Sequence, residues 1–231
     1  MAAKLAYRDG MAVLVRKMHH LLYRLRPMPP FRSAQYWEER YAQGGNSGAG
    51  SFGRLAEYKA GFVNGIVNDK KIESVLEFGA GDGNQLALLC IPRYIGLDVS
   101  PTAIALLQKR FQDDASKTFY LIADSVPPIS ADMTMSLDVI FHLVEDDIFE
   151  RYMESLFKSA KRYVMIYSSN FAEYHNNGNL RGQSHAQHVR HRRFTDFVAS
   201  RFKEWALMES FENPCKNETD SAFFIYERKG Q

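Results

Sequence analysis

The stretch Val75-Leu76-Glu77-Phe78-Gly79-Ala80-Gly81-Asp82-Gly83-Asn84 is where the chain most plainly prepares for a ligand. An apolar run carries an acid near its end, and the chain then turns through three glycines at alternate positions. Glycine permits a sharp turn and lets a bound molecule approach the backbone with no Cβ in the way. A second acid, Asp98, closes the apolar run Tyr94–Leu97, 17 residues after Gly81. A carboxylate at such a strand end accepts hydrogen bonds from both hydroxyls of a ribose. A third, Asp124, closes Thr118–Ala123 and is placed to accept from the exocyclic amine of adenine. The dinucleotide fingerprint puts glycines at positions one, three and six; here Asn84 holds the sixth position. That spacing points to an adenosine-bearing ligand other than one held by a pyrophosphate.

A second group of reactive side chains follows Met133–Leu137. Asp138 and His142 are four residues apart, a spacing that puts an acid and an imidazole on one side of a helical turn. One reading makes His142 a general base oriented by Asp138 or Glu145, with a pH–rate limb where histidine titrates, roughly pH 6–7. The other has His142 only packing. Further on, 169–193 is a long polar segment holding Asn170, His175, Arg181, His185, His188 and His191. Arginine forks and imidazole donors suit a pocket for anionic or hydroxyl-rich groups. The spacing His185-x-x-His188-x-x-His191 has no carboxylate between the rings, and no metal is expected there.

These residues need elements to carry them. From Ser74 onward, short apolar runs alternate with helical patterns. Strands are expected at Ser74–Phe78, Tyr94–Leu97, Thr118–Ala123, Met133–Leu137 and Tyr163–Tyr167, with helices at Gln85–Leu89, Ser100–Phe111 and Asp146–Ala160. Ser100 is the N-cap of its helix, with Pro101 in the first turn. Thr195 is expected to cap a short helix ending near Phe202. Two last strands, Ala206–Phe211 and Ala222–Glu227, flank a turn through Asn213-Pro214. The expected fold is α/β, a Rossmann-like doubly wound seven-stranded sheet. It is mostly parallel, with an antiparallel C-terminal hairpin at its edge. Upstream lie helical patterns at Gln35–Tyr41 and Arg54–Val67, joined by a Gly/Ser-rich loop, Gln43–Gly53, that reads as a cover over something.

The glycine turn with two acids in order at strand ends resembles the class I S-adenosylmethionine-dependent methyltransferases, over about Trp37 to Arg228. Glu77–Gly83 is similar to their E/D-x-G-x-G-x-G motif, and Ser136–Leu143 resembles the segment after their fourth strand. The resemblance implies S-adenosyl-L-methionine as cofactor. Glu77 would steer its ammonium, Gly79, Gly81 and Gly83 would lie against its methionine portion and ribose, Asp98 and Val99 would bind the ribose edge, and Asp124 with Ser125 would recognise adenine. The segment Tyr36–Tyr41 and the loop behind it, with Arg54 nearby, lie where family members carry a lid. The type resembled is bacterial and acts on small molecules or glycans. Two alternatives stand beside it: a nucleotide-dependent oxidoreductase, and a cofactor-binding scaffold without chemistry.

With 231 residues, the chain has room for one α/β domain. Three parts are expected: residues 1–30 as a basic amphipathic helix, 31–70 as lid and loop, and 71–231 as the binding domain. Residues 1–30 sum to +5, so the remainder of a chain of net charge +2 sums to −3. That balance argues against sequence-independent binding of nucleic acid. The basic helix reads as a packed element or, through residues 1–26, as a site of peripheral membrane attachment or self-association. Two cysteines and no secretory signal lead us to expect a cytoplasmic protein.

Overall fold

The computed structural model describes residues 31–122, 128–171, 174–176, 179–181 and 186–230, with no side chains described for 174–176 and 179–181. The basic segment 1–30, Asp124, Ser125 and His185 lie outside the described residues. The elements that follow all belong to the unit Arg32–Gln231.

Helices α1 (Ser33–Ala42) and α2 (Gly53–Asp69) precede the sheet. Then come β1 (Ser74–Phe78), β2 (Arg93–Asp98), α3 (Pro101–Arg110), β3 (Lys117–Leu121) and β4 (Ala131–Leu137). They are followed by α4 (Asp146–Lys158), β5 (Ala160–Ser168), a small antiparallel ribbon β6 (Tyr174–Asn176) and β7 (Asn179–Arg181), α5 (Phe194–Arg201), β8 (Trp205–Phe211) and β9 (Ala222–Arg228). Seven strands form one sheet in the order β3-β2-β1-β4-β5-β9-β8. The first five pair in parallel, and β9 runs antiparallel to both β5 and β8.

This is the doubly wound sheet expected, with one refinement. The reversed strand is interior and β8 takes the edge. Phe223, Phe224, Ile225 and Tyr226 are apolar without a break and buried on both faces of the sheet, whereas Leu207, Met208 and Glu209 of β8 stay exposed. Two local expectations are corrected. Gln85–Leu89 forms only a three-residue 3-10 turn, Leu86–Leu88. Pro92 leaves too little chain for a helix before β2. Thr195 lies inside α5, and its N–H is taken by Asn170 Oδ1 at 3.2 Å, so the cap comes from the preceding loop.

The sheet divides the core in two. On one face Val75, Met133, Met135, Tyr163 and Met165 pack against Ala60, Val63 and Val67 of α2 and Leu107 of α3. On the other, Leu76, Phe78, Val164 and Ile166 pack against Phe149, Met153, Leu156 and Phe157 of α4 and Phe194 of α5. Alternation along each strand does the sorting.

Helix α1 crosses the carboxyl rim of the sheet and is tied at two points. Near its middle, Glu38 accepts from Thr102 N at 3.1 Å, Thr102 Oγ1 at 2.7 Å and Ser100 Oγ at 2.5 Å, a carboxylate on the exposed donors of the α3 N-terminus. Ser100 Oγ in turn accepts from Ala103 N at 3.0 Å, the N-cap read from the sequence. At the start of α1, Ser33 N donates to Glu145 Oε1 at 2.8 Å. Ala34, Trp37 and Tyr41, spaced three and four residues apart along α1, face the rim. Among the described residues, no helix is long and apolar enough to cross a membrane.

Candidate active site

A cavity of about 830 Å³ lies between that roof and the ends of β1, β2 and β4. Its lining includes Glu77, the turn Gly79–Asp82, Asp98, Val99, Asp138 and His142. Five predicted site residues from three strand ends therefore share one space with the turn glycines Gly79 and Gly81.

The glycines are where they are for backbone reasons. Gly79, Gly81 and Gly83 have φ of 84°, 60° and 75°, a region that costs other residues free energy. Asp98 holds the turn: its Oδ2 accepts from Gly81 N and its Oδ1 from Ser100 N, both at 2.9 Å. It is buried, and burial pushes its pKa up while these backbone N–H groups pull it down. Glu77 is buried as well. Desolvation raises its pKa to about 7, against the hydrogen bond it accepts from Tyr94 Oη and the field of Lys59.

The Gly/Ser loop does cover something. Ser47 N donates to Asp82 Oδ2 at 2.9 Å, and Asp82 N returns a bond to Ser47 Oγ at 3.0 Å. Tyr41 Oη lies 3.0 Å from Ser47 Oγ, and Asn84 Nδ2 donates to Ser51 O at 2.5 Å. The loop thus rests on the glycine turn. Arg54 takes no part; it is exposed and pairs with Glu218.

Lys59 is a residue the sequence reading missed. It is 1% exposed, and its ammonium lies 2.6 Å from Asp138 Oδ2. Ser221 Oγ approaches the other carboxylate oxygen at 3.3 Å. Asp138 adopts φ 57°, which turns its side chain toward α2. A Cβ at Gly50 would sit 2.8 Å from its Oδ2, so the covering loop also closes over this pair. The signal was available: Leu55, Ala56, Lys59, Ala60, Val63 and Val67 are one helical face, and a lysine on an apolar face needs a buried partner.

His142 ends a single 3-10 turn, Ile140–His142, and not the regular helical turn implied by the four-residue spacing. Neither expected acid orients it. Asp138 is committed to Lys59, and Glu145 to Ser33. Its Nδ1 instead lies 2.9 Å from the backbone oxygen of His188. The ring sits among Trp37, Phe141 and His188, at centroid distances of 4.9, 4.4 and 5.3 Å. Desolvation drives its pKa down to about 4, outweighing the bond to His188. The limb expected near pH 6–7 is corrected accordingly: the imidazole is neutral across that range.

The turn bearing His142 is held by its carbonyls. Arg190 N donates to Phe141 O at 2.7 Å, Ser33 Oγ lies 2.7 Å from His142 O, Arg192 Nη1 donates to Leu143 O at 2.5 Å, and Val144 O accepts from both Arg190 and Arg192 at 3.0 Å. Arg190 and Arg192 also pair with Asp146 at 2.9 and 3.1 Å. These guanidinium groups, part of the 169–193 segment read from sequence as a polar substrate pocket, grip the protein.

The other predicted substrate residues scatter. Asn170 bonds Thr195 in the first turn of α5. His191 Nδ1 contacts Ser169 Oγ at 2.7 Å and stacks on Phe171 at 4.5 Å. His188 stacks on Tyr36 at 4.5 Å. His175 and Arg181 lie in the β6–β7 ribbon. Among the described residues, no three His, Cys, Asp or Glu side chains group as a metal site.

No family model matches the sequence, and no curated protein does. The fold is similar to that of solved S-adenosylmethionine-dependent methyltransferases. The N-methyltransferase NodS from Bradyrhizobium japonicum, in complex with S-adenosyl-L-homocysteine, superposes with a TM-score of 0.62 at 14% identity, over 86% of this chain and 100% of that one. Magnesium protoporphyrin IX methyltransferase from Synechocystis, with the same ligand bound, gives 0.60 at 14% identity, over 85% and 98%. The small RNA methyltransferase HEN1 gives 0.58 at 18% identity, over 78% of this chain and 26% of that one. The fold is therefore shared with enzymes of differing acceptors.

Proposed function

We propose that the protein is an S-adenosylmethionine-dependent methyltransferase acting on a small-molecule or glycan acceptor. The observation that carries the reading is the gathering of Glu77, the Gly79–Gly81 turn and Asp98 in one roofed cavity. The donor set fits the cofactor. Glu77 is a buried carboxylate suited to an ammonium, and Lys59 spends one hydrogen bond on Asp138, which leaves it donors for a carboxylate. Asp98 has lone pairs beyond those used by Gly81 and Ser100 for a ribose diol, and Val99 flanks it. Asp124 and Ser125 keep the adenine role that the resemblance implies.

When bound, the cofactor supplies a methyl group on a sulfonium, whose sulfur leaves readily. The protein's part is then alignment and exclusion of water. The roof Ala34, Trp37 and Tyr41 and the loop resting on Asp82 serve the second purpose. The braced turn that carries His142 serves the first.

The oxidoreductase alternative loses ground here. A pyrophosphate is held by the N-terminus of a full helix after the glycine turn, and this chain has one 3-10 turn there. An RNA acceptor is disfavoured by the charge of −3 beyond residue 30. The test is transfer from methyl-labelled S-adenosylmethionine to a panel of hydroxylated and amino-bearing small molecules, oligosaccharides and RNA. Label on a small molecule or saccharide is the expected result. Label on RNA alone would overturn the acceptor class, and no transfer across the panel would favour a scaffold.

A further inference from the structure

His142 lines the proposed acceptor end of the cavity, and its surroundings decide what it offers there. Its Nδ1 faces the His188 carbonyl oxygen at 2.9 Å. A carbonyl oxygen only accepts, so Nδ1 carries the hydrogen. That leaves Nε2, in a neutral ring, as a bare lone pair. Burial of the ring outweighs the two groups that favour a second proton, the His188 carbonyl and the Asp138 charge. The two acids within a few residues are spent elsewhere, Asp138 on Lys59 and Ser221 and Glu145 on Ser33. The ring's neighbours are Trp37, Phe141 and His188, and Arg40, over the Trp37 ring at 5.6 Å, adds positive charge. The orientation is also fixed. Every carbonyl from Phe141 to Val144 is met by a group from Ser33, Arg190 or Arg192.

We propose that His142 Nε2 selects an acceptor group that brings its own hydrogen, a hydroxyl or an uncharged N–H, over a carboxylate or phosphate. This rests on the methyltransferase reading and narrows it. A carboxylate placed there would set its lone pairs against that of Nε2. With an X–H acceptor, the bond from X to the methyl carbon forms as the sulfur–carbon bond breaks, and the electron pair stays on sulfur. The proton of X passes to Nε2 and then to solvent. A hydroxyl oxygen gaining a methyl group becomes a far stronger acid than imidazolium, so a weakly basic nitrogen suffices to take that proton. His142 is then the catalytic residue, and Arg192, acting through the turn, a positioning residue.

The experiment uses the full chain with ¹⁵N-labelled histidine, with and without S-adenosylhomocysteine. His142 ring signals are assigned by their loss in H142Q. Between pH 6 and 8 we expect a hydrogen on Nδ1 and none on Nε2. Phenol and aniline should move the Nε2 resonance, and benzoate at equal concentration should not. Arg192→Lys should blur the single tautomer into a mixture. A proton on Nε2, an Nε2 signal unmoved by phenol and aniline, or an equal response to benzoate overturns the proposal. S-adenosylhomocysteine binding, followed in the same samples, reports separately on the methyltransferase reading. Its failure leaves the ring result standing as a property of the site.

Discussion

On the glycine side of the cavity, the strand-end acid that holds the turn finds its partners close in sequence: Asp98 reaches back 17 residues to Gly81 and forward two to Ser100. On the His142 side they lie far apart: Ser33 meets Glu145 across 112 residues, and Arg192 meets Val144 across 48. The first half is fixed by two adjacent strand ends and the turns leaving them. The second exists only once α1, the β4 exit and the segment 186–193 have all come together. A site built from local turns can keep its shape when distant elements loosen. A site built by long-range bracing shares the cooperativity of the whole fold.

Lys59 is where the halves join, since it reaches from α2 to the end of β4, and breaking it should give the largest effect. Lys59→Met leaves the Asp138 charge without its buried partner and should lower unfolding free energy by about 3–5 kcal/mol in urea titrations. Adding Asp138→Asn should recover much of that loss. If Lys59→Met alone is as stable as the parent, the pair does not join the halves.

Glu77 sharpens the comparison from the glycine side. Its pKa is raised to about 7 in the folded protein, above the unfolded carboxylate value. The folded state therefore holds its proton longer, so this contribution to stability is full below the ordinary carboxylate range and is lost as pH rises through about 7. Binding of an ammonium asks for the ionised form and should run the other way. S-adenosylhomocysteine affinity should tighten up to tenfold per pH unit below about 7 and then level off. Glu77→Gln should flatten that profile in calorimetry.

Ser33→Ala probes the braced side with the smallest change. It removes a hydroxyl from the His142 carbonyl and the Glu145 carboxylate, worth about 1 kcal/mol of stability. Cofactor affinity should stay level while kcat falls. An equal loss of cofactor affinity would mean that the two halves are not separable.

The same division explains what could be read from sequence. The glycine turn, Asp98, Glu77, the Ser100 cap and the strands carry local signals: periodicity, spacing and turn chemistry. The doubly wound, mostly parallel sheet followed from strand–helix alternation. The brace did not follow, because nothing around Arg190 or Arg192 says that its target is the backbone of 141–144. Asp138 and His142 were linked by their spacing of four, which holds only in a regular helix. The left-handed backbone at Asp138 broke that link and sent the acid to Lys59. The helix expected after the glycines failed for a local reason, Pro92, that was visible beforehand.

The central claim is that the cavity over Gly79–Asp82 binds S-adenosylmethionine through its strand-end acids. Calorimetry with S-adenosylhomocysteine on the parent protein and on Asp98→Asn tests it most directly. The account predicts one site per chain, weakened by about 1–3 kcal/mol in the variant, the cost of a lost charged acceptor. No binding to the parent, or equal binding to both, would contradict it.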